Sequence, residues 1–388
     1  MRNDRRQFIA SSVVGTGLAS LGLAGCKKPA NDVEAQEQAR TDETPSLNIL
    51  ILGGTGFIGP HMVRQALARG HTVTLFNRGK TNADLFPDVQ TLIGDRDNGL
   101  DALRGKRWDA VIDNSGYVPR HVRDSAELLA DSCDQYLFIS SISAYADFEG
   151  AAIDEDYALG TMPDESVEQV TGETYGPMKA LCEKAVQTVF GERSNIVRPG
   201  YIVGPGDKTD RWTYWPLRVE RGGRMLVPGA PTDNVQFIDA RDLAHFVVNA
   251  LENKTPGVFN AVGPEQALDM QAMLTEMKRV SDADSTFEWV SPEKLEELEA
   301  TFPIWSSADG EYGGAHTVSN QRAIAKGMTY RALATTIADT LAWWNEQSLE
   351  RKAAMRSGLR VGSGGGRTPL SMTEQLALEK TLFATLDS

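Results

Sequence analysis

Between residues 47 and 67, a short apolar run, a glycine-rich turn and a helical pattern follow one another without a break. Leu47-Asn48-Ile49-Leu50-Ile51-Leu52 has the length and continuous apolarity of a parallel strand buried on both faces. It runs directly into Gly53-Gly54-Thr55-Gly56-Phe57-Ile58-Gly59, and Met62, Val63, Ala66 and Leu67 then recur on one face of a helix. In a strand–turn–helix of this kind each glycine has its own task. One permits the tight turn, one lets the backbone approach a pyrophosphate, and Gly59 lets helix and strand pack closely. The helix start then offers unpaired N–H groups and a partial positive charge to the phosphates. Gly53, Gly56, Phe57, Ile58 and Gly59 are therefore the expected cradle of a dinucleotide.

A second strand, Thr72-Val73-Thr74-Leu75-Phe76, ends at Asn77-Arg78-Gly79-Lys80. A site for NAD usually places Asp or Glu at this strand end, on the ribose hydroxyls. Here Phe76 or Asn77 holds that position, with Arg78 and Lys80 close behind, which leans toward the 2′-phosphate of NADP; Arg78 stacking on the adenine or facing solvent is the alternative, and the choice between NAD and NADP stays open. A third apolar stretch leads to Gly94-Asp95-Arg96, where Asp95 is positioned for the adenine. A fourth leads to Val111-Ile112-Asp113-Asn114-Ser115-Gly116, which brings Ser115 beside the cofactor. Strands alternating with helical segments through about residue 200 predict an α/β chain with a Rossmann doubly wound parallel sheet. A smaller C-terminal substrate lobe would follow.

A fifth strand, Tyr136-Leu137-Phe138-Ile139, ends in Ser140-Ser141-Ile142-Ser143. About thirty residues later Tyr175-Gly176-Pro177-Met178-Lys179 opens a helix running to Phe190. Residues four apart share a helical face, so Tyr175 and Lys179 belong together. A tyrosine of ordinary pKa near 10 is a poor base at neutral pH. A neighbouring ammonium is expected to favour its phenolate. Lysine can also hold the nicotinamide ribose, and a serine at the adjacent strand end can hydrogen-bond a substrate oxygen.

With these motifs in this order, the chain resembles an extended short-chain dehydrogenase/reductase of the NAD-dependent epimerase/dehydratase type. Val197-Arg198-Pro199-Gly200-Tyr201-Ile202-Val203-Gly204-Pro205-Gly206 and Phe237-Ile238-Asp239-Ala240-Arg241-Asp242 extend the likeness, which covers roughly residues 47–345. The resemblance implies Tyr175 as general acid/base, Lys179 as its activator and Ser141 as the substrate-orienting hydroxyl, a role Ser143 could share. It also implies Pro199 and Val203 lining the nicotinamide side. One position departs from the family: sugar-nucleotide epimerases carry a diphosphate-binding arginine where this chain has Val235. The insert Asp210-Arg211-Trp212-Thr213-Tyr214-Trp215-Pro216 is rich in rings that either stack on a substrate or cap the small lobe's core. The Trp343-Trp344 pair reads as core.

The N-terminus reads as an address. Arg5-Arg6 before Phe8 resembles the twin-arginine export signal, and Leu23-Ala24-Gly25-Cys26 resembles the lipobox of bacterial lipoproteins. The expected organisation is a signal peptide over 1–25, a flexible tether over 26–46 and a dinucleotide-binding domain over 47–200. A substrate lobe over 201–345, interleaved with the core, and a linker with a C-terminal helix over 346–388 complete it. The lipid on Cys26 would be the only membrane contact of a periplasmic protein. The formal charge is -14 over 388 residues, and without the net +2 of residues 1–25 it is -16, which repels nucleic acid. The three cysteines form no metal-ligand spacing, so no metal is expected, and Cys133 and Cys182 read as buried thiols. The glycine-rich stretch 362–366 reads as a linker, and the last helix, with Leu376, Leu378 and Leu382, either docks on the lobe or mediates assembly, so a homodimer stays open.

Two functions fit: a redox enzyme on a small hydroxyl-bearing molecule, or a binding protein that keeps the dinucleotide as a structural part. The set of Ser141, Tyr175 and Lys179 favours the enzyme.

Overall fold

The computed structural model describes residues 45–149, 153–357 and 371–386. The expected signal peptide and nearly all of the tether lie outside them. Seven parallel strands form the central sheet. In chain order they are β1 (Asn48–Leu52), β2 (Thr72–Asn77), β3 (Gln90–Ile93), β4 (Trp108–Asp113), β5 (Cys133–Ile139), β6 (Ser194–Pro199) and, after three short strands of other sheets have intervened, β10 (Gly257–Ala261). Their spatial order is β10-β6-β5-β4-β1-β2-β3. The order reverses at β1, and there the first βα turn and the loop after β4 open a crevice at the strands' carboxyl ends.

The strands have continuous apolar sequences because both faces are covered. Ile49 and Ile51 point to one face, with α1 (Gly59–Ala68) and α5 (Ala240–Glu252); Leu50 and Leu52 point to the other, with α2 (Pro119–Leu129) and α3 (Gly172–Phe190). All four strand residues are completely buried. Truncating any of them to alanine would cost about 2–5 kcal/mol. On α1 the buried stripe is Met62, Val63 and Ala66, while Leu67, expected beside them, is exposed.

The C-terminal part of the chain builds a second core. Two strand pairs, β7 (Tyr201–Val203) with β9 (Phe237–Asp239) and β8 (Arg224–Pro228) with β11 (Thr286–Val290), combine with α4 (Tyr214–Glu220) and α6 (Met270–Ser281). The short α7 (Pro292–Glu297) and α8 (Gln321–Ile324) precede α9 (Leu333–Asn345), α10 (Leu349–Ser357) and α11 (Met372–Leu386). Trp212, Tyr214 and Trp215 are fully buried in this core, so the ring-rich insert caps the lobe and does not face a substrate. The Trp212 indole donates to Thr340 at 3.1 Å and the Trp215 indole to the Pro303 carbonyl at 2.9 Å, which satisfies their polar edges. Trp344 is buried in the same core, as expected.

Residues 351–357, read as polar linker, are helical in α10. The last helix docks within the chain: Leu376, Leu378 and Leu382 pack against the second core. Its Glu379 accepts from Arg218 at 3.1 and 2.9 Å and from the Leu226 N–H at 3.0 Å, all buried.

Candidate active site

The turn after β1 fits a dinucleotide phosphate on steric grounds. Gly53 and Gly54 have φ of +111° and +90°, which only glycine adopts without strain. A β-carbon at Gly59 would lie 2.6 Å from the Gly54 backbone, so α1 packs on the turn with no side chain between. At Gly56 a β-carbon would meet nothing within 4 Å, and the residue is exposed. Open space therefore lies against the one glycine whose backbone a pyrophosphate must approach. Phe57 and Ile58 are half-buried beside it, and Phe57 faces Gly206 across the crevice. The N-terminus of α1 has no side-chain cap; Pro60 has no N–H, and the N–H groups of His61 and Met62 turn back to the Ile58 carbonyl at 3.1 and 3.3 Å, so the N–H of Gly59 is the one left at the helix start.

The other expected contacts divide into two groups. Arg78 is exposed and makes no hydrogen bond or ion pair among the described residues, so its guanidinium is available at the end of β2. The Asn77 side chain is committed to the loop: its amide donates to the Gly53 carbonyl at 3.2 Å, and its oxygen accepts from the Gly79 N–H at 2.8 Å. It shapes the turn and leaves Arg78 as an exposed cation at this strand end. Ser115 is similarly engaged, donating to the Leu52 carbonyl at 2.9 Å, which ties the loop after β4 to the turn. Asp95 is exposed on its loop; the neighbouring Arg96 turns inward to Asp113 at 2.6 and 2.8 Å. Pro199 is buried at the end of β6. Val203 corrects an expectation: it is fully buried in the second core with Trp212 and Phe237, so it cannot line a nicotinamide.

The reacting groups come from three elements. A capping box between Thr171 and Thr174 starts α3, and the first turn needs it because Gly176 and Pro177 are weak helix formers. Gly176 lets that turn press against the Ser141–Ser143 loop: a β-carbon there would lie 2.1 Å from the Ser143 carbonyl oxygen. Behind the loop, Glu183 of α3 accepts from Ser140 at 2.5 Å and from Arg198 of β6 at 2.9 and 2.6 Å, all buried. This network fixes β5, β6 and α3 relative to one another. Ser140 is thereby used structurally, and Ser141 is the serine turned to Tyr175.

Burial pushes the Tyr175 phenol up to about 12, and the Tyr117 hydroxyl adds to the rise; hydrogen bonding from Ser141 and the charge of Arg211 pull against it. The expected lowering by Lys179 is absent from these influences. Lys179 is buried, and its Nζ donates to the carbonyls of Gly116 at 2.7 Å and Ile139 at 2.8 Å. Burial lowers its own pKa to about 8. Desolvation outweighs charge attraction here, so Tyr175 holds its proton at neutral pH.

Sequence reasoning gave no role to two neighbours, Tyr117 and Arg211. Tyr117 lies 6.4 Å from Tyr175 between ring centroids and, 4.9 Å away, covers the Lys179 ammonium. Arg211 lies over the Tyr201 ring at 5.1 Å, and Tyr201 in turn stacks on His316 at 5.8 Å. Of the two, Arg211 carried a signal, as the single cation of a ring-rich insert.

Residues 49–261 match the NAD dependent epimerase/dehydratase family. The chain is 28% identical over 235 residues to the chloroplast stem-loop binding protein of 41 kDa b of Arabidopsis thaliana, covering 55% of this chain and 58% of that one. It is 40% identical over 230 residues to a 3-beta-hydroxysteroid dehydrogenase of Mycolicibacterium neoaurum, covering 54% and 62%. The match thus spans less than two thirds of either relative. Among solved structures, UDP-glucuronic acid 4-epimerase from Bacillus cereus in complex with NAD superposes with a TM-score of 0.55 at 16% identity, covering 77% of this chain and 98% of that one. At that identity the likeness is one of fold.

Proposed function

This chain belongs to the NAD dependent epimerase/dehydratase family, and from that premise we propose that it is an NAD(P)-dependent epimerase/dehydratase-type oxidoreductase acting on a hydroxyl-bearing carbohydrate. The reaction is redox-neutral and the cofactor stays tightly bound. The observation that carries the reading is the convergence of Tyr175, Ser141 and Lys179 at the mouth of the glycine-rich crevice.

The bound nicotinamide supplies a reversible hydride acceptor. Ser141 orients the substrate hydroxyl toward Tyr175. With the charge of a bound oxidised nicotinamide lowering the phenol from its cofactor-free value, a Tyr175 phenolate would take the hydroxyl proton while the carbinol hydrogen leaves with its electron pair, so the carbinol would become a ketone. The same phenol returns the proton when hydride comes back to the substrate, and no net oxidant is consumed. Lys179, anchored on two carbonyls, has one N–H left with which it would hold the cofactor ribose. The ketone acidifies neighbouring C–H bonds, which suits epimerisation, dehydration and isomerisation alike. Val235 sits in the lobe core where a diphosphate would need a cation, which supports a sugar that is not nucleotide-linked.

Location is part of the proposal. The Arg5-Arg6 and Leu23–Cys26 motifs support export of the folded protein and lipidation at Cys26. Outside the cytoplasm no soluble NAD(P)H pool regenerates a spent cofactor, so a recycled one is required. Protein isolated from the extracytoplasmic fraction is expected to carry near-stoichiometric dinucleotide, identified by mass spectrometry after denaturation, and to turn over many times with none added. Protein that arrives empty, or that consumes external NAD(P)H in proportion to product, overturns this reading. A simple dehydrogenase, the activity named for the 40%-identical mycobacterial relative, would then be favoured. A dinucleotide-binding protein without catalysis is the remaining alternative; a stem-loop ligand like that named for the plant relative is disfavoured by the charge of -14.

A further inference from the structure

A cavity of about 270 Å³ opens beside Tyr201, lined by Glu149, Asp233, Asn234, Ser306, His316 and Thr317 among others. Two of these six are acidic, and no lysine or arginine lines the cavity. The informative member is His316. Its Nδ1 accepts from the Gln236 N–H at 3.1 Å, so the ring proton of the neutral imidazole resides on Nε2. That Nε2 is buried and has no hydrogen-bond partner among the described residues. A buried donor without an acceptor is costly and uncommon in a folded protein, which points to an acceptor brought by a ligand.

The imidazole is also held in place. The Gln236 side chain donates to the Val318 carbonyl and accepts from the Val318 N–H, both at 3.0 Å, which clamps the His316 segment to the chain entering β9. Tyr201 covers a ring face, stacked within 16° of parallel. Asp233 is steadied by the Trp305 indole at 2.8 Å and the Ala230 N–H at 3.1 Å, and its carboxylate keeps acceptor capacity. One rigid neutral donor and two carboxylates lining the same cavity suit hydroxyl groups, and the carboxylates repel phosphate. Two side chains stand between the cavity and the reacting groups: Tyr201 stacks on His316, and Arg211 lies over Tyr201 at 5.1 Å with its charge felt at Tyr175.

We propose that this cavity is a subsite for the remote part of the substrate, an uncharged hydroxyl-rich group such as a second sugar ring, with His316 and Asp233 as its specificity-determining contacts. The proposal rests on the carbohydrate reading above and adds what the substrate carries in place of a nucleotide.

The test uses the protein as isolated with its cofactor, a panel of methyl glycosides as probes, and UDP as the phosphate-bearing competitor, read by saturation-transfer NMR. Glycoside signals that persist in excess UDP are expected, with His316→Phe weakening glycoside binding about tenfold at unchanged cofactor content. UDP displacing the glycosides, the absence of any glycoside signal, or wild-type affinity in His316→Phe overturns the subsite. Asp233→Asn, which keeps the volume and the Trp305 contact and removes the carboxylate, is the second variant: loss of the glycoside signal is expected there too, and wild-type affinity in it overturns the subsite if His316→Phe does not fold. A protein that holds its cofactor but prefers UDP loses the subsite and keeps the enzymatic reading; loss of the enzymatic reading shows separately, as missing cofactor.

Discussion

Gly176 and Ser143 approach each other so closely that a single added methyl group would put carbon 2.1 Å from the Ser143 carbonyl oxygen. The obstacle is backbone on both sides, so no side chain can swing away. In Gly176→Ala the start of α3 must retreat from the serine loop and take Tyr175 with it. Misplacement by about 1 Å can cost on the order of a hundredfold in rate. The expected outcome is a loss of turnover of about that size with the cofactor still bound, checked by kcat and cofactor content measured on one preparation.

Tyr175→Phe removes the proton carrier and little else, since the ring stays packed against Tyr117. Turnover is expected to fall by at least about a hundredfold, the low end for loss of acid/base catalysis, with cofactor content unchanged. Normal turnover in this variant would remove Tyr175 from the mechanism.

Arg78 is the exposed cation at the end of β2 and has no protein partner among the described residues. Arg78→Ala is expected to weaken NADP binding by about 1.5–3 kcal/mol, as for a hydrogen bond to a charged group, and to leave NAD nearly unchanged. Titration calorimetry with both cofactors decides it, and equal losses would mean that Arg78 does not read the 2′-phosphate.

Lys179 couples stability to pH in the cofactor-free protein. Burial lowers its pKa from 10.5 to about 8, so between those values the unfolded chain binds a proton that the folded chain does not. The Lys179 contribution to stability then rises with pH across that window. The buried thiols of Cys133 and Cys182, pushed up to about 12, pull stability down above pH 9 in any variant that keeps them, so the quantity to read is a difference: from pH 8 to 10.5 the wild type is expected to gain in urea-unfolding stability relative to Lys179→Met. Parallel profiles would mean that the ammonium is not desolvated as the fold implies.

Glu379→Ala should leave the Arg218 guanidinium buried without its counter-charge. Breaking a buried pair from one side costs about 3–5 kcal/mol. The midpoint of chemical unfolding is expected to fall accordingly; a shift below about 1 kcal/mol would mean that water or another acceptor takes over.

Local patterns carried most of the cofactor half. The run from Leu47 to Gly59 states strand, turn and helix within thirteen residues, and the Tyr175–Lys179 spacing needs only helical periodicity. What sequence could not give was the balance of competing terms at Tyr175, because burial is a property of the assembled fold. The ring-rich insert was undecidable for a similar reason: Trp212 and Trp215 have apolar faces that suit a cleft or a core, and only the position of Thr340 and Pro303 settles which. His316 was invisible because its partner, Gln236, is 80 positions away. Val203 was misplaced because family likeness gives a position along the strand and not the face to which its side chain turns.

The pairing of Arg218 with Glu379 spans 161 positions. A ribosome adding about 5–20 residues per second would therefore leave that arginine waiting on the order of ten to thirty seconds for its carboxylate. The sheet that receives the cofactor is complete by Ala261, well before then. Assembly in the cell is thus ordered in time: the nucleotide crevice can form and fill first, and the lobe over it locks last. Any translation product that stops short of Glu379 would leave the Arg218 guanidinium without its counter-charge at the heart of that lobe.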